Sequence, residues 1–229
     1  MPICPRSSIK WPSVPTDGMR DYLKWHDAYD DPTSDLSWRL RQVQAYIRST
    51  LDQIRGQAKV LSLCAGDGRD VLQILAERDD SSRIKTTLIE LHPVLAQRAR
   101  EFAAKAGLAE VTVRAVDAGD TAAYADAVRA DLVIMIGIFG NISTEDLRRT
   151  ITTAPQLCRP GAVMLWSRGT SGGDANSLVR GWLTEAGFVE LDYREFDQAE
   201  GERAALGSAR YAGPPQPLIT GGQIFTFLR

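Results

Sequence analysis

Two glycines and three acidic side chains are the residues here whose types and spacing suggest chemistry. Gly66 and Gly68 follow the apolar run Val60-Leu-Ser-Leu63, and without a Cβ they let the backbone turn sharply and approach a ligand closely. A helix is expected to follow at Val71, Leu72, Ile74 and Leu75. Its first-turn amides point back at the loop, offering unpaired donors and the positive end of a dipole to a polar or anionic group. Glu90 lies about twenty residues beyond the glycines, at the end of a second apolar run, where a carboxylate reaches ribose hydroxyls. Asp117 ends a third run and can accept from an adenine amino group, with the backbone amide of Ala118 beside it. Together these outline a site for an adenosine-bearing ligand. Each acid also has a plainer reading, as a helix cap or solvated loop residue, and Asp70 as a first-turn dipole residue. The candidate general base is His26, because imidazole titrates near neutrality and this one stands among Tyr22, Trp25, Asp27 and Tyr29. A purely structural histidine is the alternative there, and for His92 as well, which precedes the helix-starting Pro93 and otherwise touches the ligand's edge.

Such residues act together only if strands bring them to one edge. The apolar runs Val60–Leu63, Ile84–Leu91, Val111–Val116, Asp131–Ile136 and Ala162–Trp166 are expected to be strands. Val60, Leu61 and Leu63 show the scant polar alternation of a strand covered on both faces. Helical spacing separates the runs: His92-Pro93 to Gly107, a shorter pattern over Ala122–Arg129, and a helix from Thr144 to the Pro160-Gly161 turn. Alternation of this kind implies a parallel sheet with crossovers, in which ligands bind at the carboxyl ends of the strands. Ahead of it, Ser34 is a cap candidate for a helix through Leu40, Val43, Ile47, Leu51 and Ile54, stopped at Gly56. Residues 1–20 carry Pro2, Pro5, Pro12 and Pro15 and read as an extended arm. After a helix from Asn176 to Gly187, the runs Phe188–Phe196 and Gln223–Leu228 alternate like half-exposed strands. The Gly- and Pro-rich interval Gly213–Pro217 suits an antiparallel hairpin between them. The fold class expected is α/β, doubly wound, with a mostly parallel seven-stranded sheet and an antiparallel last strand. Residues 1–55 form an arm and helix that cap the active site, and 56–229 form the ligand-binding domain.

Composition narrows the partners. A formal net charge of -2 over 229 residues, 24% of them charged, provides no basic field of the kind that drives nonspecific nucleic-acid binding, although a local patch would not show in the total. The three cysteines, Cys4, Cys64 and Cys158, lack metal-ligand spacing and fit a reducing, cytoplasmic compartment. No signal peptide and no membrane-spanning run is visible.

The ordered runs Leu61-Ser-Leu-Cys-Ala-Gly-Asp-Gly68, Leu88-Ile-Glu-Leu-His-Pro93, Val116-Asp-Ala118, Asp131-Leu-Val-Ile-Met-Ile-Gly137 and Arg159-Pro-Gly-Ala-Val-Met-Leu165 resemble the motif set of class I S-adenosylmethionine-dependent methyltransferases. The resemblance extends from Val60 to the C-terminus and includes the antiparallel tail. It implies that Cys64, Ala65, Gly66, Asp67 and Gly68 approach the methionine part of S-adenosylmethionine. It places Glu90 with Leu91 at the ribose, Asp117 and Ala118 at the adenine, and Gly137 with Ile138 near the transferred methyl. The family often has an acid where Ser62 stands and a glycine where Cys64 stands, so contacts to the amino-acid end of the cofactor are expected to differ here.

A sulfonium methyl is already activated, so transfer requires alignment of the nucleophile and exclusion of water, with no metal. An O, N or S atom of a small molecule is the expected acceptor. The loop Gly137-Ile-Phe-Gly-Asn141 departs from the Asn-Pro-Pro-Tyr type used on amino groups of bases or glutamine. Tyr22, Tyr29, Phe139 and Asn141 are the candidate acceptor contacts, although a packed phenylalanine and a helix-capping asparagine explain the last two equally well. Arg168, Arg210 and Tyr211 are expected in loops bordering the opening. Two rivals stay open at this point. One is a nicotinamide-dependent reductase, against which Val71 stands in place of the third glycine of Gly-x-Gly-x-x-Gly. The other is a protein that binds the adenosine cofactor without catalysis.

Overall fold

The computed structural model describes Tyr29, Asp31 and residues 34–169, 175–197 and 203–228. Its strands are β1 (Ala58–Leu63), β2 (Ile84–Ile89), β3 (Val111–Arg114), β4 (Ala130–Met135), β5 (Cys158–Gly169), β6 (Phe188–Asp197) and β7 (Arg203–Tyr211). Its helices are α1 (Asp35–Gln53), α2 (Arg69–Ala76), α3 (Pro93–Lys105), α4 (Thr144–Leu157) and α5 (Asn176–Glu185). The sheet is seven-stranded, in the order β3-β2-β1-β4-β5-β7-β6. The first five strands pair in parallel, and β7 runs antiparallel to both β5 and β6. The α/β, mostly parallel sheet expected from the sequence is therefore present.

Burial explains the parallel half. All six residues of β4 are buried and β1 exposes only Lys59, as strands covered on both faces must be. On one face Val43, Ile47 and Leu51 of α1, Val71 and Leu75 of α2 and Ala99 of α3 pack with Val60, Leu132 and Leu165. On the other, Leu147 and Ile151 of α4 and Val179 and Leu183 of α5 pack with Leu61, Val133, Met164 and Trp166. The Ser34 hydroxyl caps α1 by accepting from the Ser37 amide at 3.1 Å, satisfying one orphan donor. The helix gives way to extended backbone at Ile54, before the Gly56 stop expected for it.

The C-terminal third required correction. Residues Gln223–Leu228 are not a strand of the sheet and make only the isolated bridges Asp120↔Gln223 and Ile142↔Phe227. The seventh strand is Arg203–Tyr211, whose Ala, Gly and Ser content carries little β propensity. Packing supplies the reason for that composition. Gly207 pairs with Trp166, and a Cβ added to it would fall 2.4 Å from the indole. Small residues let β7 lie against this buried tryptophan. Arg168 consequently belongs to β5, and Arg210 and Tyr211 to β7, rather than to loops. The pattern over Ala122–Arg129 yields only a short 3-10 turn, Thr121–Tyr124. Among the described residues no helix is long and apolar enough to cross a membrane.

Candidate active site

The carboxyl ends of four adjacent strands, in the order β3-β2-β1-β4, carry Asp117, Glu90, the glycine loop and Gly137. Cys64 leaves β1 with φ +53°, a left-handed conformation that costs an L-residue about 1–2 kcal/mol. The Ala65 amide then donates to the Ile89 carbonyl at 2.9 Å, tying the loop to the end of β2. Gly68, at φ +72°, starts α2, and a Cβ there would fall 2.8 Å from Leu88 and 2.9 Å from Leu72. Both the turn and the packing of helix on strand demand glycine.

Glu90 locks this loop. One carboxylate oxygen accepts from the Gly66 amide and the other from the His92 amide, both at 2.7 Å. Each oxygen keeps a second lone pair for a ligand hydroxyl. Burial raises the Glu90 pKa, and the two amide bonds oppose that rise. Leu91 beside it is 64% exposed, open to contact with a ligand. Asp67 accepts from the Arg69 guanidinium at 2.5–3.0 Å, so it shapes the loop from within. Asp70 accepts from the Val71 amide at 2.9 Å, and burial pushes its carboxyl up to about 6.

At the end of β3, the two oxygens of Asp117 accept from the Gly119 amide at 2.7 Å and the Gln223 carboxamide at 3.0 Å. Ala118 is buried. The Gly137 amide after β4 donates to the Ser167 hydroxyl at 2.9 Å, and the Asn141 carboxamide donates to the Gly137 carbonyl at 2.8 Å. Asn141 is thus a brace of the loop, and the cap of α4 is Ser143, which accepts from Asp146 at 3.0 Å. Ile138 and Phe139 are buried, with the Phe139 ring stacked on Trp166 at 5.8 Å. Phe139 is therefore a core residue and not a ring presented to an acceptor. His92 caps α3, its Nδ1 accepting from Val94 at 3.3 Å.

Burial and the neighbouring carboxylates act together on two side chains at this edge. The Cys64 thiol is pushed well up by burial and then by the Glu90 and Asp117 carboxylates. The Tyr124 phenol is raised by burial and then by Asp120, Cys64 and Asp117. Among the described residues its buried hydroxyl has no hydrogen-bond partner. The Arg69 guanidinium lies 4.6 Å from the Tyr29 ring centroid, and the Tyr29 hydroxyl accepts from Arg39 at 2.9 Å. Tyr29 is thus brought to the glycine loop, while Tyr22, Trp25, His26 and Asp27 lie outside the described residues. Sequence reasoning missed Ser167 and Gln223. Ser167 sits one residue past the end expected for its strand, and Gln223 had been placed in the sheet.

The antiparallel β7 lies between β5 and β6, an arrangement that an all-parallel nicotinamide-binding sheet lacks. Residues 60–161 match the family described as "Methyltransferase domain". The matched residues carry the glycine loop, Glu90, Asp117 and Gly137, so the candidate site lies within a methyltransferase domain. No curated protein matches the chain in sequence. Among solved structures it is similar to the 1,6-didemethyltoxoflavin-N1-methyltransferase of Burkholderia thailandensis, which has bound 1,6-didemethyltoxoflavin and S-adenosylhomocysteine. The two are 18% identical, with 84% of each chain covered and a TM-score of 0.62. It is similar also to an O-methyltransferase family protein of the same organism (18% identity, 76% of this chain and 57% of that one, TM-score 0.53). A third is the precorrin-6y C5,15-methyltransferase of Geobacter metallireducens (16% identity, 73% and 87%, TM-score 0.52). At these identities the likeness is one of fold, and the names already differ in the atom methylated.

Proposed function

We propose that the chain transfers the methyl group of S-adenosylmethionine to an O, N or S atom of a small molecule, and that the edge between Gly66 and Asp117 holds the adenosine. The observation that carries this reading is the Glu90 carboxylate, fixed by two amides at the tip of β2 beside the glycine loop. A prealigned acceptor for a diol lowers the ordering cost of binding. In this reading Cys64, Ala65, Gly66, Asp67 and Gly68 border the methionine part, Glu90 and Leu91 the ribose, Asp117 and Ala118 the adenine, and Gly137 the methyl, with Ile138 buried behind it in the core. The carboxylates of Asp67, Glu90 and Asp117 also suit a cationic cofactor.

When bound, S-adenosylmethionine supplies a methyl already activated on sulfur, and the chain's own residues align an acceptor and exclude water. Of residues 1–55, α1 packs on the face of the sheet, and the part ahead of it, which carries Tyr29, serves as the cap. The anchoring of Tyr29 on Arg69 and Arg39 supports that role, since Arg69 directly follows the loop. Tyr22 and Tyr29 border the acceptor, Asn141 acts by bracing Gly137, and His26 is the general base where the acceptor is a hydroxyl. A small acceptor fits the named substrate of the toxoflavin-type neighbour and the net charge of -2, which gives nucleic acid little attraction. The free thiols of Cys64 and Cys158 fit a cytoplasmic setting.

Calorimetry with S-adenosylmethionine, S-adenosylhomocysteine and NAD tests the cofactor reading. Saturable binding of the first two and none of NAD is the expected result. The reverse preference, or no binding of any, refutes it.

A further inference from the structure

The C-terminal segment that failed to join the sheet has a different position in the molecule. Residues 219–228 run as a strap along α4, from Gln156 near its C-terminal end to Asp146 in its first turn. The Ile219 amide donates to Gln156 of α4 at 2.9 Å, and the Thr121 hydroxyl donates to the Ile219 carbonyl at 2.9 Å. The Thr121 amide donates to the Gly222 carbonyl at 3.1 Å and the Ile224 amide to the Gly119 carbonyl at 2.8 Å. Farther on, the Thr226 amide donates to Asp146 at 3.0 Å, and the Leu228 amide to the Asn141 carbonyl at 2.8 Å. One segment thus fastens the turn after Asp117 to the loop that begins at Gly137.

Within that strap, Gln223 addresses Asp117 directly. Its Nε2 donates to Asp117 Oδ2 at 3.0 Å and to the Phe225 carbonyl at 2.7 Å, which uses both of its hydrogens. Asp117 Oδ1 already accepts from the Gly119 amide. The carboxylate is therefore fixed at both oxygens and keeps a lone pair on each. Gly119 is shaped for this contact. A Cβ built on it would lie 2.2 Å from Gln223 Nε2 and 2.3 Å from the Phe225 carbonyl oxygen, yet its φ is not among the positive values. Glycine is required there by the closeness of the strap and not by the backbone turn.

We infer that Gln223 is a positioning residue for adenine recognition: seated through the space left by Gly119, it holds the Asp117 carboxylate in the orientation that reads the amino group of the base. The inference rests on the cofactor reading above. An exposed aspartate loses side-chain freedom when it takes a ligand, and a carboxylate already ordered does not. The contact also makes selectivity depend on a residue outside the matched region, which ends at 161.

Two variants test the inference by independent routes. Gln223→Met keeps the length of the side chain and removes its donors, whereas Gly119→Ala keeps Gln223 and sets a methyl against both its amide and the Phe225 carbonyl, so that the strap must shift with it. Calorimetry of each with S-adenosylhomocysteine and with S-inosylhomocysteine, whose base presents a carbonyl where adenine has an amino group, reads both affinity and discrimination. Each variant is expected to bind S-adenosylhomocysteine about 3–15-fold more weakly and to lose preference for it over the inosyl compound by a similar factor. Thermal melting of Gln223→Met should stay within a few degrees of the parent. Equal weakening for both ligands, or unchanged binding by both variants while the parent binds, overturns the role of Gln223 and leaves the cofactor reading standing. A parent chain that binds neither ligand overturns both.

Discussion

Replacing Glu90 isolates the contact on which the proposed cofactor site depends. Its carboxylate holds the Gly66 and His92 amides at 2.7 Å, and the residue is 8% exposed. Hydrogen bonds to a charged group contribute about 1.5–3 kcal/mol each, and a buried donor left without a partner costs about 1–3 kcal/mol. Glu90→Ala therefore removes two charged bonds and strands the Gly66 amide, so the glycine loop loses its fixed geometry along with the acceptor for the ribose. The expected loss of affinity for S-adenosylhomocysteine is about 1–3 kcal/mol, or roughly 5–150-fold. Glu90→Gln sharpens the test, because its amide nitrogen must face one of two backbone donors. Titration calorimetry at pH 7.5 gives the affinities, and urea melts report the folded fraction. A ligand lacking the ribose 2′-hydroxyl should lose less on mutation than the parent ligand does. Affinity within twofold of the parent chain in both variants, with folding intact, would refute the assignment of Glu90 to the site.

Two further outcomes follow from charge and burial. The Asp70 carboxyl, raised to about 6, keeps its proton in the folded chain over a range where the unfolded chain has lost it, so its contribution to stability falls as pH rises from about 4 to 6. Asp70→Asn should match the parent near pH 4 and exceed it by about 1–2 kcal/mol at pH 8; urea melts with the same pH slope in both chains would contradict this. In a Cys4→Ser background, the buried Cys158, pushed up to about 12, should not react with a thiol reagent at pH 8 until the chain is unfolded, and the half-buried Cys64, pushed up by burial and the nearby carboxylates, should react more slowly than a free thiol. Labelling of Cys64 at the rate of a free thiol would place it outside the floor of the crevice.

Much of the site was legible because it is built from strand ends. Val60–Leu63, the glycines and Glu90 are local signals, since apolar runs, turns and an acid at a strand tip follow from the backbone alone. The placing of Asp117 and Gly137 at strand ends follows in the same way. Phe139 shows the limit: nothing nearby in sequence says whether a phenylalanine faces a ligand or the core, and it was Trp166, from β5, that claimed it. Ser167 and Gln223 escaped because their partners, Gly137 and Asp117, are 30 and 106 residues away.

By itself the sequence determined the alternation of buried strands and helices, and with it the edge at which the acids gather, because periodicity and strand ends are properties of neighbouring residues. The tertiary structure alone decided which segment is the seventh strand. Arg203–Tyr211 has weak strand propensity and pairs because its small residues clear the Trp166 indole, whereas Gln223–Leu228 has the alternation of a strand and is held instead between α4 and the turn after β3. Sheet membership at those positions is set by contacts across the fold, which no local pattern records.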